Sequence, residues 1–123
     1  MDEQEIFSFS PTSGTITVPT SGVYFIMAAG QVGEASNANV NVDMWFRKNS
    51  VDIANSNVRN FLTETLDTKV VISQAAIRLA AGDTIKVYIS ISLTGAGAGL
   101  RVTNPTGEPR IPSIIFTMYK ISN

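Results

Sequence analysis

The feature that most constrains this chain is its closing apolar run, Ile111-Pro-Ser-Ile-Ile-Phe-Thr-Met-Tyr-Lys-Ile121. Side chains alternate across a strand, which puts Ile114, Phe116 and Met118 on one face and Ile115, Thr117, Tyr119 and Ile121 on the other. Both faces are largely apolar. A two-sheet sandwich buries one face of each sheet and leaves the other to water. A strand of this kind is expected in mid-sheet, with something packed on its outer face as well. One domain of 123 residues has no third layer to supply that cover. Other copies of the chain are expected to supply it.

The rest of the chain is written in short segments divided by turn residues. Ile6–Ser10 and Thr15–Val18 read as short strands separated by Pro11 and the Ser13-Gly14 turn. Val23–Ala29 is a longer strand, apolar on both faces, and Gly30–Ala38 reads as a small, polar loop. Asn39–Arg47 alternates cleanly, with Val40, Val42, Met44 and Phe46 on its apolar face. Trp45 stands out on the polar face, where it either lies over its neighbours or belongs to a subunit interface. Lys48-Asn-Ser50 is a hairpin turn without the glycine that best suits one, and Val51–Ala54 is the returning strand.

Residues 58–68 read as irregular strand rather than helical turn, and Thr68–Ile77 continues as strand. At Gly82-Asp83 a tight turn is expected. Glycine takes positive φ at no steric cost, and the Asp83 carboxylate is placed to accept bonds from the amides that follow it. Ile85, Val87, Ile89 and Ile91 then alternate with Lys86, Tyr88, Ser90 and Ser92, the latter set on an expected solvent face. Gly95-Ala-Gly-Ala-Gly99 reads as a mobile loop tip, Leu100–Thr103 as a strand and Asn104–Pro109 as turn. About ten short strands and no helix predict a single all-β domain over residues 1–123, a sandwich or jelly roll.

Composition removes several functions. The chain has neither histidine nor cysteine, so the commonest general base, the usual nucleophile pairs and the usual zinc ligands are missing. The carboxylates Glu34, Asp43, Asp52, Glu64, Asp67, Asp83 and Glu108 are scattered over turns and ends and read as solvated. Loop carboxylates such as Asp43 and Asp52 lack the ligand spacing of a calcium site. No catalytic residue, cofactor or metal is expected, and the chain is not read as an enzyme. A net charge of −1 without a basic stripe argues against nucleic acid. No apolar run approaches the ~20 residues of a membrane helix. Met1-Asp-Glu-Gln-Glu5 lacks the basic region and apolar core of a secretory signal, so synthesis in a cytoplasm is expected.

Three stretches resemble the globular heads of the complement component 1q and tumour necrosis factor superfamily. Thr17-Val-Pro-Thr-Ser-Gly-Val-Tyr-Phe25 is similar to the family's early strand. Ala76-Ile-Arg-Leu-Ala-Ala-Gly-Asp-Thr-Ile-Lys-Val87 resembles its Leu-x-x-Gly-Asp-x-Val segment, and the closing apolar strand is the third. Asn49-Ser50 departs from the Asn-Gly turn of the family. The resemblance implies a ten-strand jelly-roll β-sandwich that assembles as a homotrimer, with the last strand near the threefold axis. Microbial and viral members are the more similar ones, and in them the module is a head or tip on a spore, fibre or virion.

The function expected from this reading is structural or adhesive: a trimeric head displayed on a virion or similar surface particle after cytoplasmic synthesis. Its partners would be its own copies, other virion or coat proteins, and a surface receptor or glycan. A spore-surface or bacterial head of a collagen-like protein and a lectin-like carbohydrate-binding module are the alternatives. Trp45, Ile115, Thr117, Tyr119 and Ile121 are the expected trimer-interface residues, and Gly82 with Asp83 the structural turn.

Overall fold

Period-two alternation of apolar and polar side chains is the main instruction in this sequence, and it produces two antiparallel sheets. The structure, a computed structural model, describes residues 8–10, 14–65 and 68–123. The strands are β1 (Ser8–Ser10), β2 (Thr15–Thr17), β3 (Gly22–Gly33), β4 (Val40–Lys48), β5 (Val51–Asp52), β6 (Val58–Leu62), β7 (Thr68–Leu79), β8 (Thr84–Ile91), β9 (Gly99–Leu100) and β10 (Ile114–Ser122). Ile6, Phe7, Pro11 and Ser13, parts of the expected first strand and turn, lie outside the described residues, as do Leu66 and Asp67.

The six-stranded sheet runs β1-β2-β8-β4-β5, with β6 also pairing β4. The four-stranded sheet runs β10-β3-β7, with β9 also pairing β3. The two sheets face each other as a jelly-roll sandwich, and their inner residues form the core. From β3 come Tyr24, Ile26 and Ala28, and from β4 come Val40, Val42, Met44 and Phe46, all fully buried. Ile114, Phe116 and Met118 of β10 pack against them. The Phe46 and Phe116 rings meet edge to face at 6.3 Å, joining the sheets at the middle of the core. Tyr24, though wholly buried, donates its hydroxyl to the Thr20 carbonyl at 2.6 Å, so no polar atom of it is stranded.

A second, polar link between the sheets was not legible in the sequence. Ser56 Oγ accepts the Phe46 amide at 3.1 Å and donates to the Ile53 carbonyl at 2.8 Å. Buried Ser73 of β7 donates its hydroxyl to the Ser56 carbonyl. Two serines thereby satisfy backbone groups that the irregular chain between β5 and β6 leaves inside the sandwich.

Three expectations about the strands are corrected. Mid-sheet position belongs to β3, not to the closing strand: among the described residues β10 pairs only with β3. The apolar character of β10 on both faces therefore does not come from flanking strands. Gly30 to Gly33 is strand rather than loop, because β7 pairs β3 continuously from Gly22↔Leu79 to Gly33↔Thr68. Long-range pairing overrides the weak local propensity of glycine, and the absent side chain leaves room for Leu100, whose Cδ2 would lie 3.0 Å from a Cβ at Gly30. Third, Gly95–Gly99 is docked, not a free tip. Ala96 is buried, its carbonyl accepts the Ala35 amide at 2.8 Å, and a Cβ on Gly97 would stand 2.5 Å from that of Ala35.

Two turns hold one end of the six-stranded sheet. Asn49 and Ser50 both have positive φ, 49° and 68°, the geometry a two-residue hairpin needs. Asparagine tolerates it, and Asn49 gains more by bridging to the other turn. Its amide donates to the Asp83 carboxylate at 2.9 Å, and its carbonyl oxygen accepts the Thr84 amide at 2.9 Å. Gly82 lies at φ 92°. The Asp83 carboxylate accepts the Ala80 amide at 2.8 Å, so it caps the turn backwards, onto the residue three before it, rather than onto the amides after it.

Nothing lies within 4 Å of a Cβ built on Gly82, so only backbone strain opposes a substitution. Gly82→Ala is expected to cost roughly 1 kcal/mol or more, read as a lowered thermal midpoint. An unchanged melt would contradict this account of the turn. The Asn49 amide, then the Ala80 amide and the Lys48 ammonium, lower the pKa of Asp83 below the ordinary carboxylate value. A carboxylate depressed on folding adds stability above its unfolded pKa of about 4, and that stability is lost as pH falls through the folded value. Asp83→Asn should therefore be less stable than wild type at neutral pH and lose less on acidification below pH ~4. Equal acid limbs in denaturant titrations would refute it.

Candidate functional site

The outer face of the four-stranded sheet is the most unusual surface of the molecule. Register places its side chains in rows across three strands: Tyr119–Phe25–Ala76, then Thr117–Met27–Gln74, then Ile115–Ala29–Ile72. Ile115 is 55% exposed, and Tyr119, Ile121 and Ile72 are each 51% exposed. Val70 extends the patch at 48%. The Phe25 and Tyr119 rings touch at 5.4 Å and stiffen one end. Arg78 supplies charge at the Val23 corner of the face, while the three rows themselves are uncharged. A contiguous apolar face of this kind on a small domain marks an interaction surface.

Of the five residues expected at an interface, the register brings three together on one face. Ile115, Thr117 and Tyr119 share this face, back to back with Ile114, Phe116 and Met118 in the core, while Ile121, exposed, lies at a bulge between Lys120 and Ser122 where the register gives it no partner on β3. Trp45 is not with them. It lies on the outer face of the other sheet, on the far side of the sandwich, because β4 belongs to the six-stranded sheet. The residues that sequence reasoning left out are the partners on β3 and β7: Phe25, Met27, Val70 and Ile72. For Phe25 and Met27 the signal was present in the two-sided apolarity of Val23–Ala29, but only register shows that β3 adjoins β10 and that Val70 and Ile72 of β7 continue the face beyond it.

Trp45 lies over its neighbours. Its ring is near-parallel to that of Tyr88, directly across on β8, with centroids 6.0 Å apart. Its indole N–H donates to Asp52 Oδ1 at 2.8 Å, and Arg47 Nε donates to the same oxygen at 2.6 Å. The Arg47 guanidinium also sits 4.1 Å over the Tyr88 ring. Arg47 first and Trp45 second hold the Asp52 carboxyl below its ordinary pKa. Tyr88 is thus half-buried under two partners rather than a bare solvent-face residue.

No arrangement for catalysis or metal binding emerges among the described residues. Asp43 is held by Arg59 in a fork at 2.7 and 2.9 Å, Asp52 by Arg47, and Asp83 by its turn. No group of three or more acidic residues could hold a metal ion there. Glu34 corrects the expectation of a solvated carboxylate. It is 1% exposed, with one oxygen accepting the Ala38 amide at 2.8 Å and the other without a partner. The docked Gly95–Gly99 loop, which bonds Ala35, covers the turn in which it lies. A groove of 620 Å³ between β5 and β7 is lined by Lys48, Val51, Asp52, Ala75 and Ile77 among others; its carboxylate is the one already engaged by Arg47 and Trp45. No described helix is long and apolar enough to cross a membrane.

No family model and no curated protein matches the chain. Among solved structures it is similar to Eiger TNF from S. frugiperda, with a TM-score of 0.55 and 20% identity over 95% of this chain and 69% of that one. At that identity the likeness is one of fold. Two antiparallel sheets, this strand order and this likeness together make the chain a jelly-roll β-sandwich of TNF-like fold.

Proposed function

We propose that this protein is a non-enzymatic structural or adhesion head that works as a homotrimer, displayed on a virion or similar surface particle after synthesis in a cytoplasm. The observation that carries the proposal is the apolar outer face of β10, β3 and β7. Ile115, Tyr119, Ile121 and Ile72, each about half exposed in one chain, are the surface that other copies would cover. Hydroxyls at Tyr119 and Thr117 suit a contact that is only partly dry. Three copies about an axis is the arrangement that the TNF-like fold supports.

Sedimentation velocity at micromolar concentration tests the assembly. A trimer is expected, and because the rows of the face are uncharged, its stability should hardly change with added salt. A stable monomer would overturn the reading. Immunogold labelling of purified particles against the cytosolic fraction tests the display: label confined to the cytosol would contradict it.

A further inference from the structure

We infer that the free edge of β7, over residues 74–78, takes an extended acidic peptide of a partner protein as an added strand, with alternate side chains seated in the groove beside β5. The inference goes beyond the assembly reading and does not rest on it. Strand parity shows which backbone groups are available. Gln31 turns both its amide and its carbonyl towards the β10 side of β3, donating to Ser113 and accepting from Arg101, each at 2.8 Å. Backbone groups alternate between the two edges along an antiparallel strand, so the even-numbered residues of β3 face β7. The register Tyr24↔Ile77 and Ile26↔Ala75 then commits the odd residues of β7 to β3. The amides and carbonyls of Gln74, Ala76 and Arg78 are left pointing outward, and among the described residues nothing bonds them. The first half of the same edge is closed. Asn60 Nδ2 donates to the Val70 carbonyl at 3.0 Å, Lys69 Nζ to the Phe61 carbonyl at 2.7 Å, and the Ser73 hydroxyl to the Ser56 carbonyl. The free groups lie in the plane of the sheet, so covering its outer face does not by itself cover this edge.

A row of unpaired amides and carbonyls, repeating every second residue or about 6.8 Å, is matched by another extended polypeptide. The side chains around it define which kind. Ala75 and Ile77 line the 620 Å³ groove with Val51, Ile53 and Ala54 of the opposite wall. These small and apolar residues leave room for apolar side chains at alternate positions of the added strand. Arg78 is exposed beside the edge, and among the described residues no carboxylate pairs with it. The carboxylate of the groove, Asp52, is already held by Arg47. An acidic residue directly across from Arg78 completes a cross-strand ion pair. Charge also argues against a second copy of β7 on this edge. The strand carries Lys69 and Arg78 and no acidic residue, so pairing with its own like adds cations and no carboxylate.

The probe is the peptide acetyl-Glu-Val-Thr-Val-Thr-Val with a fluorophore at its C-terminal end, titrated with the full chain and read by fluorescence anisotropy. Laid antiparallel to β7, it sets its glutamate opposite Arg78, its threonines opposite Ala76 and Gln74, and its valines towards the groove. Saturable binding in the high-micromolar range is expected. Backbone N-methylation of the two threonines, whose amides face β7, should abolish binding while every side chain stays the same. Ala76→Pro removes one outward amide and no bond to β3. It should keep the circular dichroism of wild type and bind the peptide about tenfold more weakly, the worth of one lost hydrogen bond. Arg78→Gln should weaken binding roughly threefold, as expected for one exposed ion pair. No saturable binding, equal affinity for the N-methylated peptide, or unaltered affinity in Ala76→Pro would overturn the inference. A lower sedimenting mass for Ala76→Pro than for wild type would overturn it too, by placing a second copy on this edge. Failure of the assembly reading shows instead as a wild type that sediments as a monomer, so the two are told apart.

Discussion

Tyr119→Asp is expected to convert the protein to monomers at micromolar concentration while leaving the isolated sandwich folded. Tyr119 is half exposed in the single chain and projects from the outer face of β10. In the proposed trimer that face is shared by three copies, and the substitution places three carboxylates close to one axis. Each loses water, and no cation of the three surrounding rows is there to compensate it. Uncompensated buried charge costs on the order of 3–5 kcal/mol per site, and mutual repulsion adds to it. The 5.4 Å contact with Phe25 is lost as well. The fold itself should survive, because the core side of β10 is carried by Ile114, Phe116 and Met118. Sedimentation velocity reads the outcome, with circular dichroism as the check on folding. A trimer that persists in Tyr119→Asp would remove β10 from the interface. Thr94→Asp, on an exposed loop, is the fitting control. Tyr88→Asp is not, since Tyr88 supports both Trp45 and Arg47.

The sequence made the face assignment of β10 legible because alternation is a local property of one strand. The same holds for β4 and β8, whose inward and outward sets are those that the period predicts. What alternation does not carry is which strands adjoin. Trp45 is conspicuous on a polar face, but whether that face adjoins β10 depends on which sheet β4 joins, and no residue within β4 encodes it. Mid-sheet position went to β3 for the same reason. Two-sided apolarity is compatible with either edge or central position, and in β10 it goes with an exposed outer face rather than with paired neighbours on both edges among the described residues.

Loops were legible where backbone conformation is demanding and obscure where tertiary contact decides. Gly82 announced its turn, since few residues accept φ 92°. Gly95–Gly99 looked mobile because small residues lack side chains to anchor them. In the structure that smallness permits close docking against Ala35 and the burial of Ala96. Glu34 is buried with the same segment. Its carboxylate closes a turn onto Ala38, a local bond that the spacing of residues 34 and 38 allows but does not announce. Ser56 and Ser73 likewise read as ordinary polar positions, and only the approach of β7 to the chain after β5 makes them a buried bridge.

Phe46→Ala is expected to be the most damaging single truncation of the core, independent of assembly. Phe46 is fully buried on β4, and its ring meets that of Phe116 edge to face at 6.3 Å across the two sheets. Removing it loses the transfer energy of an aromatic side chain and leaves a cavity between sheets that backbone pairing on both sides holds apart. Substitutions of this kind cost about 3–5 kcal/mol, a large share of the roughly 5–15 kcal/mol by which a domain is stable. The Phe46 amide, which bonds Ser56 Oγ, stays in place, so the loss is one of packing alone. Phe116→Ala should cost less, because Phe116 is only partly buried. The double substitution should cost less than the sum of the two, since the contact between the rings can be lost only once. Urea denaturation of the four proteins measures the cycle. Strict additivity would mean that the two rings do not hold the sheets together as the geometry indicates.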